Sequence, residues 1–431
     1  MDQRFFAIAL AVWVALGAAA AQPAAGPRLK AFVGARIIDG AGKPAIERGT
    51  ILIQDGRIQQ VGASDRVRIP AGAERIDAGG KTVVPGLINT HGHVGETQGL
   101  RGGPEFYTEE NLLRQLGLYA RYGVTTVFSL GGDREPGFRL RDAQETPALN
   151  RARIYVAGTV ITGKTPQEAQ QVVDTVAAMK PNFIKIRVDD NLGASTKMPP
   201  DVYRAVIARA RERKLTVASH MFYLEDARSL LETGTGFLAH SIRDREVDAG
   251  IIALLKKRDV CVCPTLTREV STFVYESRPA FFDDPFFLKE ADQQVLDQLL
   301  DPKRQEAMRH STAAQRYKVA LEMASRNLKK LAEAGVRIAF GTDTGPPARF
   351  QGYFEHLELE LMAKAGLTPM QILRSATGDA ARCMHLAGKI GTLEPGAWAD
   401  LLVLGKNPLE DIRNWRSIES VWVAGNQVPG R

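Results

Sequence analysis

The middle of the chain alternates short apolar segments with stretches of helical pattern. Each apolar segment is continuously hydrophobic, which is typical of a parallel strand that is buried on both faces. Eight of these segments follow one another: VVPGLINTHGH, GVTTVFSLGGD, ARIYVAGTVIT, FIKIRVDD, LTVASH, TGFLAH, VCVCPTLT and VRIAFGTD. A (β/α)8 barrel requires eight strand–helix units, and we therefore predict such a TIM barrel, of the α/β class, over residues 83–388.

Both ends of the chain carry a different pattern. Residues 29–82 contain short strand segments, with an Asp55-Gly56 turn signal between two of them. Residues 389–431 have the same pattern of short strand segments, which Gly, Pro and Asn interrupt. We expect the two ends to pack together as one small composite β-sandwich beside the barrel.

The first 21 residues have the layout of a secretory signal peptide. An apolar run follows Arg4, and Ala19 to Ala21 fit a cleavage site. The run is shorter than the ~20 residues of a membrane-spanning helix, and an uncleaved anchor is the alternative. We expect a periplasmic or secreted protein with no stable membrane anchor after cleavage.

The formal net charge is +7, but the basic residues are scattered rather than grouped into stripes. Scattered charge indicates a solvated surface, and no fold motif of a nucleic-acid-binding protein is present. We therefore expect no nucleic-acid partner.

The chain has three cysteines, Cys261, Cys263 and Cys383. A disulfide scaffold would need more of them, and a soft zinc site would usually have C-x-x-C spacing. We expect Cys261 and Cys263 to be buried packing thiols, with metal ligation as the alternative.

Two histidines end the first barrel strand. His91 and His93 are two residues apart, so their side chains project to the same face of the strand. The carboxyl ends of barrel strands face the active-site mouth, where two imidazoles are well placed to bind a metal ion. A pair of hydrogen-bonded structural histidines is the alternative.

Further ionisable side chains lie at the ends of other strands. The neighbours of Lys185 in FIKIRVDD take the outward face, which turns Lys185 into the barrel, where an unpaired ammonium would be costly. His220 ends strand five, His240 ends strand six and Asp343 ends strand eight. This set, on five of eight strands, indicates a metal centre rather than chance placement.

PGLINTHGH, the buried Lys185, the two later histidines and GTD together resemble the amidohydrolase superfamily. The resemblance is closest to its imidazolonepropionase-like and Xaa-Pro/Xaa-Arg dipeptidase-like branches, and it covers nearly the whole chain after the signal segment. It implies two divalent metal ions, with zinc as the expected metal. The implied ligands are His91, His93 and Asp343 for the first ion, His220 and His240 for the second, and a bridging Lys185 that is carboxylated by carbon dioxide. The alternative is a single ion, with Lys185 as an ammonium paired with Asp343.

The resemblance also implies an activity. A hydroxide that bridges the two metal ions would attack an amide carbonyl, and Asp343 would carry the proton to the leaving amine. We expect hydrolysis of an amide C–N bond in a small-molecule substrate, such as a dipeptide or an N-acyl amino acid. The alternatives are a cyclic amide, lactone or ester hydrolase with the same centre, and a metal-depleted, non-catalytic binding protein. The oligomeric state is left open, with a homo-oligomer among the outcomes.

Three residues are candidates for substrate binding. Tyr223 lies one position beyond the place where relatives often have Tyr, and it could polarise the substrate carbonyl or pack under a loop. Arg187 could hold a substrate carboxylate or pair with a nearby aspartate. His356 could contact the site. The alternative is that it supports residues of the site or has a structural role. Asn89 stands where relatives usually have Asp, and we expect a tuning effect at most.

Overall fold

The computed structural model describes residues 29–430, so the predicted signal peptide lies outside the described residues. The strands within this range are β1 Leu29–Ile37, β2 Ile46–Gln54, β3 Arg57–Ala63, β4 Glu74–Asp77, β5 Thr82–Pro85, β6 Leu87–Gly92, β7 Thr97–Gln98, β8 Arg101–Gly102, β9 Val124–Ser129, β10 Arg153–Val156, β11 Ile184–Val188, β12 Val217–Met221, β13 Phe237–Ala239, β14 Cys261–Cys263, β15 Leu401–Leu404, β16 Ile418–Val423 and β17 Asn426–Gln427.

The helices of the same range are α1 Glu109–Arg121, α2 Glu135–Asp142, α3 Pro166–Ala178, α4 Pro200–Glu212, α5 Leu224–Thr233, α6 Ala249–Arg258, α7 Leu266–Val270, α8 Pro285–Leu288, α9 Gln293–Leu299, α10 Pro302–Arg309, α11 Thr312–Glu333, α12 Tyr353–Lys364, α13 Pro369–Ser375 and α14 Gly378–Cys383. Among these described helices, none is both long and apolar enough to cross a membrane.

The central strands form the predicted barrel. β6, β9 and β10 are parallel neighbours, and β11 to β14 form a second parallel run. Two backbone hydrogen bonds connect the runs, from Asn182 N to the Val156 carbonyl (2.8 Å) and from Ile161 N to the Lys185 carbonyl (2.8 Å). The outward side chains of β11 share one buried apolar cluster with α3 and α4, which leaves the alternate positions to face the interior.

The eighth predicted strand, VRIAFGTD, is an irregular segment. One isolated bridge joins Val262 of β14 to Ile338, and another joins Gly92 of β6 to Thr344. The segment therefore closes the barrel between its seventh and first strands. Its last residues come to lie beside the end of β6.

The strands from the two ends of the chain form one continuous sheet in the order β17-β16-β15-β5-β1-β2-β3, with β4 paired to β1. β5 pairs with β1 on one side and with β15 on the other, which joins the amino-terminal and carboxyl-terminal segments. Thr82–Pro85 belongs to this sheet, so the first barrel strand begins only at Leu87. At Gly86, between the two strands, an added Cβ would lie 2.1 Å from Thr125 Oγ1, so only glycine fits this passage.

One buried ion pair ties the barrel to the terminal sheet. Arg153, the first residue of β10, donates from Nε to Asp400 Oδ2 (2.7 Å) and from Nη2 to Asp400 Oδ1 (3.3 Å). The side chains are 0% and 2% exposed. Asp400 directly precedes β15 and also accepts a hydrogen bond from Ala424 N (2.7 Å). The pair is therefore fully enclosed between the two parts of the fold.

Cys261 and Cys383 form a disulfide, with a Cα–Cα distance of 5.9 Å. The prediction that Cys261 is a packing thiol is therefore wrong, whereas Cys263 is a free, buried thiol as expected. Cys383 ends α14, a helix that packs against the barrel. The sequence separation of 122 between the partners hides this proximity from a reading of the sequence.

The connection after β14 spans residues 264–311 and contains α7 to α10. Its phenylalanines pack on the segment that follows the eighth strand, as Phe281 and Phe287 do against Phe350. Its first helix, α7, lies at the strand ends, because Thr267 Oγ1 donates to the Thr342 carbonyl (3.1 Å). This long connection, which is rich in phenylalanine, is thus packed on the protein and starts at the mouth of the barrel.

Candidate metal centre

Three predicted metal ligands lie together at the end of β6 and of the eighth strand segment. Nε2 of His93 is 3.0 Å from Asp343 Oδ1, and Nε2 of His91 is 3.4 Å from the same oxygen. One ligand atom from each side chain lies within 4.8 Å of the others. Two imidazoles and a carboxylate at this spacing suit a divalent ion such as zinc.

Lys185 lies inside the barrel next to these residues, with Nζ 3.2 Å from His91 Nε2. Burial lowers the pKa of Lys185 from 10.5 to about 8. An amine with this pKa is partly unprotonated near neutral pH, which is the form that reacts with carbon dioxide. The position therefore suits the carbamate that the family resemblance implies.

His220 and His240 continue the same group. Their ring centroids are 4.2 Å apart, and the His240 ring lies 4.6 Å from the His91 ring. His220 is the penultimate residue of β12, and His240 directly follows β13. The structure thus brings all six predicted ligands to one end of the barrel.

Hydrogen bonds from outside the group orient three of the four imidazoles through one nitrogen of each ring. These bonds join His93 Nδ1 to the Gly131 carbonyl (3.1 Å), His240 Nδ1 to Thr265 Oγ1 (2.7 Å) and His220 Nε2 to Asp189 Oδ2 (2.7 Å). Metal-bound histidines are typically oriented in this way, by a partner on the nitrogen that does not bind the metal.

The protonation of the group fits a metal centre. Burial lowers the pKa of His91 and His240 well below the usual range and lowers that of His220 to about 3, so these rings are neutral, as ligands must be. Nδ1 of His91 is buried and has no hydrogen-bond partner within the described residues. Nε2 of the same ring faces Lys185 and Asp343 and is the nitrogen that would bind an ion.

Arg349 contacts the centre from the loop after the eighth strand. Its Nη1 donates to Asp343 Oδ2 (2.5 Å), whereas the other carboxylate oxygen faces the histidines. Burial favours the neutral carboxyl, but Arg349 and the imidazoles of His91 and His93 outweigh burial and hold the pKa of Asp343 well below its usual range. Asp343 is therefore an anion that is shared between the histidine pair and a guanidinium group.

The backbone around the centre is held in the left-handed region at three non-glycine residues. His240, Asp343 and Thr265 have φ values of 80°, 59° and 49°. Each such residue costs about 1–3 kcal/mol and persists where the surrounding structure imposes it, commonly at functional sites. Three of them around one group of ligands support a functional role for that group.

Asn89 lies beneath the ligands and connects two strands to a buried carboxylate. Its Nδ2 donates to Glu355 Oε1 (2.7 Å) and to Thr342 Oγ1 (2.9 Å), and its Oδ1 accepts from His91 N (2.9 Å). Glu355 is 0% exposed, and burial raises its pKa. These contacts explain why residue 89 is Asn and not the Asp that relatives usually have, because an aspartate would place a second carboxylate against Glu355.

Replacing Asn89 with Asp should lower the free energy of unfolding by about 2–4 kcal/mol, because two carboxylates would share a site without water. Urea denaturation measures this loss. A second exchange, Glu355→Gln, should restore much of the stability, whereas Asn150→Asp on the exposed surface should change little. An Asn89→Asp protein as stable as the wild type would contradict the explanation.

Two of the three substrate-binding candidates lie at the rim. The Tyr223 hydroxyl donates to Asp190 Oδ1 (2.9 Å), and Lys197 Nζ lies 3.9 Å from the centre of its ring. The Arg187 side chain is 44% exposed, with Nη2 at 3.7 Å from Asp189 Oδ2. Both side chains are thus engaged by the loop after β11, which matches the packing and salt-bridge alternatives.

His356 lies in α12, away from the rim. It is 1% exposed, its Nε2 donates to the Tyr122 carbonyl (2.8 Å), and its ring packs against Phe286. These contacts give His356 a structural role.

The chain matches the model of the amidohydrolase family over residues 82–428 and therefore belongs to that family, whose members are hydrolases that act on carbon–nitrogen bonds. Imidazolonepropionase of Geobacillus kaustophilus is 25% identical over 402 residues, which cover 83% of this chain and 84% of that protein. Enamidase of Eubacterium barkeri is 34% identical over 106 residues, and this alignment spans only 25% of either chain.

Among solved structures, that of a candidate prolidase from Bifidobacterium longum superposes with a TM-score of 0.74 and 26% identity, covering 94% of this chain and 96% of that one. The superfamily resemblance and the barrel with an additional β domain are thus confirmed.

Proposed function

We propose that the protein is a metal-dependent amidohydrolase that cleaves the amide C–N bond of dipeptides or N-acyl amino acids. The observation that carries the proposal is the convergence of six ligand-type side chains at one end of the barrel, in a chain of this family. A non-catalytic binding protein is a weaker hypothesis, because none of the six positions is lost. The likeness to the candidate prolidase supports dipeptides as the first substrate class.

His91, His93 and Asp343 would hold one ion, and His220 and His240 would hold a second, with Lys185 as carbamate between them. The orientation of three rings by partners outside the group and the neutral state of the buried imidazoles support this assignment. Divalent ions bound there would supply Lewis acidity, which lowers the pKa of water and polarises a carbonyl group.

Asp343 moves the proton in this proposal. Its carboxylate is ionised in the folded protein, so it can take a proton from the attacking water and deliver it to the nitrogen of the leaving amine. Arg349 holds the outer oxygen of Asp343, which fixes the direction of the other oxygen towards the reacting atoms.

A second candidate is the hydrolysis of a cyclic amide, lactone or ester by the same residues. It is favoured by the relative that aligns along most of the chain, which has the name imidazolonepropionase rather than dipeptidase. The metal centre alone is compatible with both classes, so the substrate panel has to include them.

The test uses the protein from Gln22 onward, supplied with zinc and bicarbonate. Elemental analysis should give two zinc ions per chain, and a panel of dipeptides and N-acyl amino acids should show release of free amino acid. Both His220→Ala and Lys185→Ala should abolish the release, whereas His310→Ala, at a surface position that is 76% exposed, should not. One ion per chain would support the single-metal alternative, and a protein without metal or activity would overturn the proposal.

We also propose that the protein is exported to the periplasm or secreted. The signal-like first 21 residues support this location, as does the Cys261–Cys383 disulfide, since disulfides persist in oxidising compartments. Fractionation of the producing cells, with amino-terminal sequencing of the product, tests it: intact protein in the cytoplasm would contradict export. We propose no nucleic-acid partner, and the oligomeric state, with a homo-oligomer among the outcomes, is to be measured by light scattering.

A further inference from the structure

A second group of charged side chains lies buried beside the metal centre, and we call it the arginine cluster. Its members are Arg243, Arg268, Glu269, Tyr317 and Phe222. Nε of Arg243 is 2.8 Å from Glu269 Oε1, and Nη1 of Arg268 donates to the same oxygen (3.2 Å). Nη2 of Arg268 donates to the Tyr317 hydroxyl (3.2 Å). Two guanidinium groups thus share a single carboxylate oxygen.

The arginine cluster holds one positive charge in excess. The other carboxylates at the mouth have cations of their own, since Asp343 pairs with Arg349 and Asp189 lies near Arg187. Among the members of the arginine cluster, Glu269 is the one carboxylate for two guanidinium groups, and its side chain is 0% exposed. Asp189 and Asp343 act on these arginines from outside the cluster. Buried charges are normally paired, so this imbalance favours the binding of an anion.

Glu358 does not supply the missing negative charge. It accepts hydrogen bonds from the amides of Leu266 and Thr267 (2.7 Å each) at the start of α7. Burial raises its pKa to about 8, so it is largely neutral at pH 7. Its contacts position α7, which carries Arg268.

Arg243 has a donor without a partner. Its Nη1 donates to the carbonyls of Met221 (2.9 Å) and Ser241 (2.7 Å). Its Nη2 is buried and lacks a hydrogen-bond partner within residues 29–430. Met221 and Ser241 directly follow His220 and His240, so the free donor lies at the strand ends that carry the second histidine pair.

Arg268 lies in α7, a helix that contacts the eighth strand segment beside the metal centre. The neighbouring Thr267 is bonded to the Thr342 carbonyl, next to Asp343 in the chain. The Arg268 side chain is 8% exposed, whereas the side chains of Arg243 and Glu269 are 0% exposed. Burial opposes the charge of Arg268, yet Glu269, Tyr317 and Asp343 raise its pKa above the ordinary value.

Aromatic rings form the walls around these guanidinium groups. Arg243 lies 4.6 Å from the ring centre of Phe222, and Arg268 lies 4.5 Å from that of Tyr317. The two rings pack edge to face at 6.2 Å. Phe222 and Tyr317 thus flank the two guanidinium groups with aromatic surface.

We propose that Arg268, supported by Arg243, binds the carboxylate of the substrate, and that the substrate is an amide with a free carboxylate and an aromatic or apolar side chain. Guanidinium groups bind carboxylates through paired hydrogen bonds, and a desolvated pair is stronger than an exposed one. This inference rests on the proposed function and narrows its substrate class. It assigns carboxylate recognition to the arginine cluster and not to the exposed Arg187.

The test measures the binding of L-phenylalanine and L-phenylalaninol to the zinc-loaded protein by titration calorimetry. The two probes share the amine and the ring and differ in the carboxylate. L-phenylalanine should bind more tightly to the wild type, and Arg268→Met should weaken its binding by about 30- to 100-fold while leaving L-phenylalaninol unchanged.

Arg268→Met should fold, because Glu269 keeps Arg243 as its cation. Arg278→Met, at a 52% exposed arginine of the same connection, is the matched control and should leave the affinity for both probes unaltered. Tyr317→Phe removes one bond to Arg268 without a change of charge and should weaken L-phenylalanine binding by a few-fold. A carboxylate that binds zinc instead would be indifferent to Arg268→Met, and that result, or equal binding of the two probes to the wild type, would overturn the inference.

A paired assay separates this inference from the proposed function. N-acetyl-L-phenylalanine and its carboxamide are offered to the same zinc-loaded sample. Hydrolysis of both at similar rates would overturn carboxylate recognition and leave the amidohydrolase proposal standing. The expected discrimination in probe binding, with no hydrolysis of any amide, would overturn the proposed function and leave the binding site standing.

Discussion

Replacing Asp343 with Asn should lower kcat by about 10³-fold or more on the substrate that the panel identifies, because the amide cannot accept the proton of the attacking water. The side chain keeps its size and can still accept a hydrogen bond from Arg349, so the fold should be retained. The measurement is the steady-state rate, with the zinc content and the thermal unfolding midpoint determined on the same preparation.

The zinc content decides how the loss is interpreted. A loss of rate at unchanged zinc assigns proton transfer to Asp343, whereas loss of one ion assigns it chiefly a ligand role. Asp65→Asn, at an exposed position, is the matched control and should retain full activity. A variant of Asp343 that keeps its rate within about tenfold of the wild type would remove Asp343 from the proposed mechanism.

Replacing Arg153 with Met should lower the free energy of unfolding by about 3–5 kcal/mol, because Asp400 would remain as a buried charge without its cation. The Asp400 side chain is 2% exposed, and its other described hydrogen bond comes from the Ala424 amide. Urea denaturation followed by circular dichroism measures the loss. The effect should be among the largest for a single exchange outside the metal centre, since this pair joins the barrel to the terminal sheet.

Two further variants test the cause. Adding Asp400→Asn to Arg153→Met removes the unpaired charge but keeps an acceptor for Ala424, so the double variant should recover at least about 1 kcal/mol. Arg413→Met breaks an exposed ion pair with Asp411, in which the arginine side chain is 70% exposed, and should cost less than about 1 kcal/mol. Equal losses for Arg153→Met and Arg413→Met would show that burial of the pair is unimportant.

The barrel and the ligand positions could be predicted because both depend on local sequence. Continuous apolar segments mark the strands, and alternation along the first barrel strand predicts one face for His91 and His93. Asp343 ends the eighth apolar segment, although the structure shows that segment as irregular. The same local pattern led to a wrong start for the first barrel strand. VVPGLINTHGH is a single apolar run, yet the structure divides it at Gly86 between the terminal sheet and the barrel.

The features that sequence reasoning missed depend on contacts between distant segments. Cys261 meets Cys383 only after α14 has packed on the barrel, and Arg349 meets Asp343 only through the path of a loop. Arg268 lies in a connection that lacks a recognisable motif, so its contacts with Glu269 and Tyr317 could not be read from spacing. A weak signal did exist at Arg243, a charged residue three positions after a strand-end histidine.

The Cys261–Cys383 disulfide closes a large covalent ring in the chain. Every residue from 262 to 382 lies inside the covalent ring that Cys261 and Cys383 close, including Arg268, Asp343 and the whole connection that carries α7 to α10. A protease that cut the backbone once in this connection would therefore release no fragment, because the two pieces would stay tethered at the base of the barrel. The disulfide would therefore hold the chain together after a single proteolytic cut in its longest connection. This property suits a protein that we propose to work outside the cytoplasm.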